Sequence, residues 1–329
     1  MASEKNDQYW VGFDLGGTKM MAAVLDADFK ILGCERKKTK AEKGVTVGVE
    51  RIGETIEEAL GQSGIEKKRL GGIGVGFAGP LDLDRGLILD APNLGWRDVP
   101  LRDILEKRFG CPVVVANDVD AGTYGEYRFG VARDARCVIG VFPGTGIGGA
   151  CVYKGKILRG SNHSCMEIGH MIVVPGGNLC GCGRRGCLET VASRLSIAAE
   201  VALAAIRGNA PHLLEIAGAD IRGIRSGTIA AAIKAGDKVV EEIVRHAARH
   251  LGMAVANAAN LLAPDVVVLG GGLVEEMPEI FIEETRSAAR RCAMKSLIEP
   301  VKFYAAKLGD DATVMGAAAL VAEKVSKTG

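Results

Sequence analysis

The chain has 329 residues, 48% of them hydrophobic and 25% charged, with a formal net charge of +1. Such a length and balance fit a globular protein with a large buried core, most simply divided into two domains. The near-zero charge gives no electrostatic attraction to nucleic acid or to an anionic membrane, so neither is expected as a partner. The opening residues MASEKNDQYW lack the apolar core of a secretory signal, and no apolar run is long enough to span a bilayer. Among the nine cysteines, Cys34, Cys111, Cys137, Cys151, Cys165 and Cys292 are scattered, mostly in apolar contexts. That pattern suits reduced thiols and a cytoplasmic protein better than a disulfide framework.

Residues 11–25 read as strand, glycine-rich turn, strand, with Gly16, Gly17 and Thr18 at the turn. The glycines let backbone N–H groups approach a phosphate, and Thr18 adds a hydroxyl. Taken alone, such a turn is more often plain chain reversal. Asp14, closing the first strand, can hold a magnesium ion through water. The turn leads into a strand rather than a helix, which separates it from a Walker A loop and from a Rossmann fingerprint. Residues 48–61 carry Ile52, Ile56 and Leu60 on one helical face. Residues 70–80 read as a buried strand that ends in a tight turn at Gly79-Pro80, a chain reversal or a backbone approach to a ligand. Residues 90–96 read as a loop in which Asn93 suits a sugar hydroxyl or an Asx-turn. A helix near 101–109 and a strand over 112–116 follow, and the strand stops at Asn117-Asp118. A carboxylate at the end of a buried strand sits where open α/β sheets place their chemistry, which makes Asp118 the candidate general base.

Residues 137–141 form another apolar strand, followed by Gly144-Thr145-Gly146 and a strand over 150–153. This second strand–turn–strand unit echoes residues 11–25. Two such hairpins in one chain point to a duplicated fold that closes on a nucleotide from both sides. Next comes EIGHMIVVPGGNLCGCGRRGCLE, residues 167–189, with His170, Cys180, Cys182 and Cys187 spaced His-x9-Cys-x-Cys-x4-Cys. One imidazole and three thiolates make the closed tetrahedral set of a structural zinc ion. A Cys-x-Cys disulfide would be strained, and the glycine- and arginine-rich surroundings do not read as core. Glu167 and Glu189 flank the cluster and are not needed by a closed zinc site, so they read as substrate-binding groups on a rigid platform. The chain is then mostly helical over 190–262. A buried strand over 265–269 leads into Gly270, Gly271 and Gly272, which let a flat adenine or ribose lie on the backbone or simply turn the chain. A last strand over 301–304 and a helix over 312–324 complete the pattern.

These motifs together resemble the ROK family of repressors, open reading frames and sugar kinases, over nearly the whole chain. The resemblance rests on DLGGTK at 14–19, ND at 117–118, GTGIGG at 144–149, EIGHM at 167–171, CGCGRRGCLE at 180–189, PDVVVLGGG at 264–272 and GDDATVMGAA at 309–318. NLGW at 93–96 and VVPGGNLCGCG at 173–183 are similar to the bacterial glucokinase branch. The resemblance implies an actin-like (ribonuclease H-like) α/β ATPase fold of two domains with an interdomain cleft and a zinc-binding loop. The small domain would be 1–117, completed by a helix at about 312–329, and the large one 118–311. The implied reaction moves the γ-phosphoryl of ATP to a sugar hydroxyl, usually the one on carbon 6. Asp118 would take the proton. Gly79, Asn93, Asn117, Glu167, His170 and Glu189 would hold the sugar. Asp14, Gly16, Gly17, Thr18, Lys19, Gly144, Thr145 and Gly146 would surround the phosphates, with Gly271 and Gly272 near the adenosine. No cluster of arginines is placed to neutralise the phosphates, so magnesium is required. A homodimer is implied by the family alone.

Residues 160–166, GSNHSCM, depart from the small, Gly-Ala-rich approach to the EIGH glutamate that the family commonly has. His163 and Met166 there narrow the sugar pocket, add a contact, or are tolerated surface variation. The hexose is therefore open between glucose, an N-acetylhexosamine and fructose. The family's repressors carry a DNA-reading domain ahead of the first turn, whereas 13 residues precede Asp14 here, and Asp118 is present. Both features favour an enzyme over a sugar-sensing regulator.

Overall fold

The computed structural model describes residues 8–40, 43–91, 94–161, 163–218, 220 and 223–328. The chain opens with strands β1 (Tyr9–Leu15), β2 (Lys19–Leu25) and β3 (Ile31–Lys38), then helix α1 (Gly44–Ser63) and strand β4 (Leu70–Phe77). Three short strands follow, β5 (Leu81–Asp82), β6 (Leu87–Ala91) and β7 (Trp96–Val99), and then α2 (Leu101–Phe109), β8 (Val113–Asn117) and α3 (Asp118–Arg128). The next stretch holds β9 (Cys137–Pro143), β10 (Ile147–Tyr153) and β11 (Lys156–Ile157). Beyond the cysteine-rich segment come α4 (Glu189–Ala192), α5 (Arg194–Ile206), α6 (Pro211–Ala217), α7 (Ser226–Ala235) and α8 (Lys238–Leu262). The chain ends with β12 (Val266–Leu269), α9 (Gly272–Glu276), α10 (Pro278–Cys292), α11 (Lys295–Ile298), β13 (Lys302–Ala305) and α12 (Asp311–Thr328).

Two compact units form. The first comprises 1–133, 159–163 and 310–329, and the second 134–158 and 164–309. Each is built on a five-stranded sheet, ordered β3-β2-β1-β4-β8 in the first and β11-β10-β9-β12-β13 in the second. In both, an antiparallel hairpin supplies the central strand, and two parallel strands extend the sheet from it. The two glycine-turn hairpins thus occupy the same place in two copies of one topology, as the sequence echo implies. The expected division at 117/118 lies inside the first unit, because α3 packs beside α12 on the first sheet. The helical stretch expected over 190–262 is five helices, α4 to α8. Residues 90–96, expected as a loop, begin in β6 and end in β7.

Side-chain alternation explains the layers of the first unit. On β1, Val11, Phe13 and Leu15 face a core with Ile52 and Ile56 of α1 and Leu101 and Leu105 of α2. Trp10 belongs to a second core with Val314, Ala318 and Val321 of α12. Gly12 lies on this second face, where an added Cβ would sit 1.8 Å from the Val314 carbonyl oxygen. At Gly74, one strand over in register, it would sit 1.9 Å from that of Ala317. The terminal helix therefore lies backbone-on-backbone against the sheet, and any side chain at either position would lift it. In the second unit, a helical stripe of Val240, Val244, Ala247, Leu251, Ala254 and Ala258 on α8 packs into a core with Ile139, Val141, Val267 and Leu269.

Gly74→Ala is expected to lower unfolding free energy by about 3 kcal/mol or more, since the obstacle is main chain and cannot rotate away. Equilibrium denaturation checks this, and a change of less than about 0.5 kcal/mol would contradict the packing described.

Candidate active site

In the first unit, three parallel strands end side by side. Asp14 pairs in register with Gly76, and Phe77 with Asn117. Their C-terminal edge brings together Asp14, the Gly16–Thr18 turn, Gly79 and Asn117-Asp118. Asn93 lies outside the described residues. The Gly16 N–H donates to the Lys19 carbonyl at 3.1 Å, and the Thr39 hydroxyl donates to the Gly16 carbonyl at 2.7 Å. The turn is thus held from a neighbouring strand end, with Gly17, Thr18 and Lys19 exposed.

Asn117 caps α3, its Oδ1 accepting from the Val119 and Asp120 amides at 2.9 and 3.2 Å. That leaves its Nδ2 amide outside the cap. Asp118 is the first residue of the helix. Burial pushes its carboxyl above the usual range, against the lowering effect of the Val119 amide and its own. Asp14 is pushed up from 3.8 to about 7, first by burial and then by the charge of Asp118, with Lys19 opposing and Asp310 adding. Both carboxylates keep some solvent contact, yet they sit deep enough for desolvation to dominate. Two interacting acids in one recess favour a bound cation and a proton acceptor of raised affinity.

Sequence reasoning missed Arg36 and Asp310 here. Lys19 Nζ meets Asp310 at 3.3 Å, and the Arg36 guanidinium donates to Asp310 at 2.8 Å. Asp310 thus gathers two cations beside the turn. These partners are 274 positions or more apart in sequence, so no local pattern announces them. The basic end of β3 and the unassigned Asp310 in GDDATVMGAA were the available signals.

In the second unit, β9 and β12 end together, Val141 opposite Leu269. The Gly144–Gly146 turn and Gly271-Gly272 therefore share one edge of the sheet, and Gly271 packs against the Pro143 carbonyl. The Thr145 hydroxyl accepts from Arg194 at 3.1 Å, a partner not anticipated from sequence. Glu189 accepts from the Ile147 amide through Oε2 at 3.1 Å. A Cβ at Gly146 would lie 2.3 Å from that oxygen, so glycine there admits the carboxylate. Glu189 also approaches Cys180 Sγ at 3.8 Å through Oε1, and so joins the phosphate-type turn to the cysteine cluster.

The ligand atoms of His170, Cys180, Cys182 and Cys187 all lie within 4.8 Å of one another. Cys180 Sγ is 3.6 Å from His170 Nδ1, and Cys182 Sγ is 3.6 Å from Cys187 Sγ. A tetrahedron with usual zinc–sulfur and zinc–nitrogen bonds has edges of about 3.5–3.8 Å; these two pairs match it, and the chemistry of the set, one imidazole and three thiols, suits that ion. Backbone hydrogen bonds build the knot. The Cys180 amide donates to Arg184, Gly183 to Cys180, Gly186 to Asn178 and Leu188 to Met171, all at 2.8–2.9 Å. Glu167 immediately precedes the short turn Ile168–His170 and is itself exposed. In the first unit, His163 Nε2 meets Asp84 at 3.0 Å.

Residues 10–324 match the model of the ROK family. The chain is 35% identical to a glucokinase of Halalkalibacterium halodurans, over 97% of this chain and 96% of that protein. It is 30% identical to an N-acetylmannosamine kinase of Citrobacter koseri, over 94% and 97%. Its fold matches the crystal structure of a ROK family glucokinase from Streptomyces griseus in complex with glucose and AMPPNP, with a TM-score of 0.82, 36% identity and coverage of 96% and 99%. The protein belongs to the ROK family, and its two-unit α/β architecture is the actin-like fold of that family's kinases. No helix among the described residues is long and apolar enough to cross a membrane.

The raised Asp14 value makes stability depend on pH. The folded state holds a proton that the unfolded chain releases near pH 4, so the burial penalty is absent below that pH, grows as pH rises and is complete above about 7. Asp14→Asn removes it. In metal-free buffer the wild type should lose about 2–3 kcal/mol more unfolding free energy than this variant between pH 5 and pH 8. Denaturant titrations at both pH values test this, and equal losses would contradict the desolvation of Asp14.

Proposed function

We propose that the protein is an ATP-dependent hexokinase that transfers the γ-phosphoryl of ATP to the 6-hydroxyl of glucose. The observation that carries this reading is a desolvated Asp118 at the joint end of β1, β4 and β8, beside Asp14. It stands in a chain alike over nearly its full length to a glucokinase. Asp118 accepts the proton of the sugar hydroxyl as its oxygen bonds to the γ-phosphorus, and the bond from that phosphorus to the β-phosphate oxygen breaks. A general base of this kind contributes about 10²–10⁴-fold, and its raised proton affinity suits the task. Most of the remaining catalysis is positioning and neutralisation of charge. Asn93, Asn117 through Nδ2, Glu167, His170 and Glu189 hold the sugar hydroxyls, with Gly79 offering backbone.

The turns at Gly16–Lys19 and Gly144–Gly146 receive the phosphates, and Gly271 and Gly272 the adenosine. Lys19 and Arg36, gathered by Asp310, add positive charge at the first turn. Magnesium, held at Asp14 through water, would neutralise the charge that develops on the phosphates. Zinc would sit at His170, Cys180, Cys182 and Cys187. With Nδ1 turned to the cysteines, His170 has Nε2 to offer to the sugar, so the ion would fix the loop without taking part in the reaction. A cytoplasmic homodimer is the working form implied by the family. Transfer to an N-acetylhexosamine or to fructose is the second reading. The likeness to an N-acetylmannosamine kinase and the unusual residues 160–166 favour keeping it.

With magnesium and ATP, turnover on glucose is expected to exceed that on fructose, N-acetylglucosamine and N-acetylmannosamine. Asp118→Asn should lower kcat by about 10²–10⁴-fold while glucose binding stays within severalfold. A coupled ADP-release assay with calorimetric glucose titration checks both. Preference for an N-acetylated sugar would move the substrate to the second reading, and near-normal turnover in the variant would remove Asp118 as the base.

A further inference from the structure

The segment that leads into Glu167 is an ordered device built from residues the motifs do not include. His163 and Met166 both take left-handed backbone conformations, with φ of +63° and +56°, which side chains other than glycine rarely adopt. Such conformations persist where the surroundings over-determine them. Here the His163 amide donates to the Gly160 carbonyl at 3.0 Å, the Ile168 amide to that of Met166 at 2.6 Å, and the His170 amide to that of Glu167 at 3.0 Å. The Met166 side chain packs against the core of the second unit. The main chain on both sides of Glu167 is therefore fixed.

The Glu167 side chain is not fixed by burial, since it is exposed. A glutamate has three rotatable bonds and loses much rotamer freedom when it is ordered by a ligand. Among the described residues, a hydrogen bond restrains it. The Ser164 hydroxyl donates to Glu167 Oε1 at 2.7 Å, the length of a charge-assisted O–H···O bond. With Oε1 engaged, Oε2 keeps its full accepting capacity and a defined direction.

We propose that Ser164 is a positioning residue, holding the Glu167 carboxylate through Oε1 so that Oε2 is presented to a sugar hydroxyl. This rests on the reading of Glu167 as a sugar-binding group. Preorganisation of an acceptor improves binding by removing an ordering cost rather than by adding a contact. The effect is expected on sugar affinity, because the Ser164 hydroxyl acts through Glu167, one of the proposed sugar-binding groups.

The test uses the full chain, glucose and ATP with magnesium, and four proteins: wild type, Ser164→Ala, Ser164→Thr and Glu167→Gln. Ser164→Ala should raise the KM for glucose about three- to tenfold, with kcat within about twofold and the KM for ATP unchanged. Ser164→Thr keeps a hydroxyl at the same place and should restore the wild-type value. Glu167→Gln should raise the glucose KM by more than Ser164→Ala does. A normal glucose KM in Ser164→Ala beside a raised one in Glu167→Gln overturns the inference and leaves the kinase reading intact. A normal glucose KM in Glu167→Gln overturns both the inference and the role of Glu167. Parallel changes in the KM for ATP, kcat and melting temperature would show a general structural role and also overturn it.

Discussion

The second unit depends on the convergence of one imidazole and three thiols within 4.8 Å. The segment 167–189 has little regular structure, one short turn and two isolated bridges, and its buried apolar side chains are Ile168, Cys180, Cys187 and Leu188, with Met171 and Val173 packed against the core. Cross-linking four side chains through one ion would add to the few core contacts of such a segment, and in sites of this kind metal binding and folding are one equilibrium. The functional consequence lies in the neighbours. Glu167 precedes the His170 turn, and Glu189 follows Cys187 and accepts from Ile147. In the proposed reading, an ion bound there would fix the position of two acids and one imidazole at once.

The first unit meets a different demand, which is to keep a carboxylate basic. Asp118 and Asp14 stand at the ends of strands whose other face is fully apolar, and desolvation outweighs the helix amides that would otherwise hold Asp118 acidic. The close seating of α12 on Gly12 and Gly74 shapes that recess, because Thr313 of the same helix reaches back to the Asp118 carbonyl at 3.5 Å. Packing that looks purely structural thus sets the environment of the proposed base. The exposed pairs of Lys19 and Arg36 with Asp310 contribute little to stability in water. Their importance is in where they place charge.

Much of this was legible in the chain. The hairpin echo between residues 11–25 and 137–153 became two sheets of the same order, because glycine turns and alternating apolar residues are local signals. The ligand spacing was read for the same reason, since Cys180, Cys182 and Cys187 are near neighbours. What stayed hidden was long-range or directional. Asp310 meets Arg36 across 274 positions, and no periodicity encodes that. Asn117 was read as a sugar ligand, while its Oδ1 turns back to cap α3. Gly146 was read as a phosphate turn, and its lack of a side chain also admits Glu189. The division at 117/118 followed the end of a strand, whereas helix packing keeps α3 with the first unit.

The most direct test of the account is the zinc content of the purified protein, measured by mass spectrometry together with glucose affinity, before and after removal of the metal by a chelator. The account predicts one zinc ion per chain. Its removal should weaken glucose binding and lower stability together, and zinc should restore both. A chain that binds no zinc, or that loses it while retaining its stability and glucose affinity, would contradict the claim that a metal knot organises the sugar site.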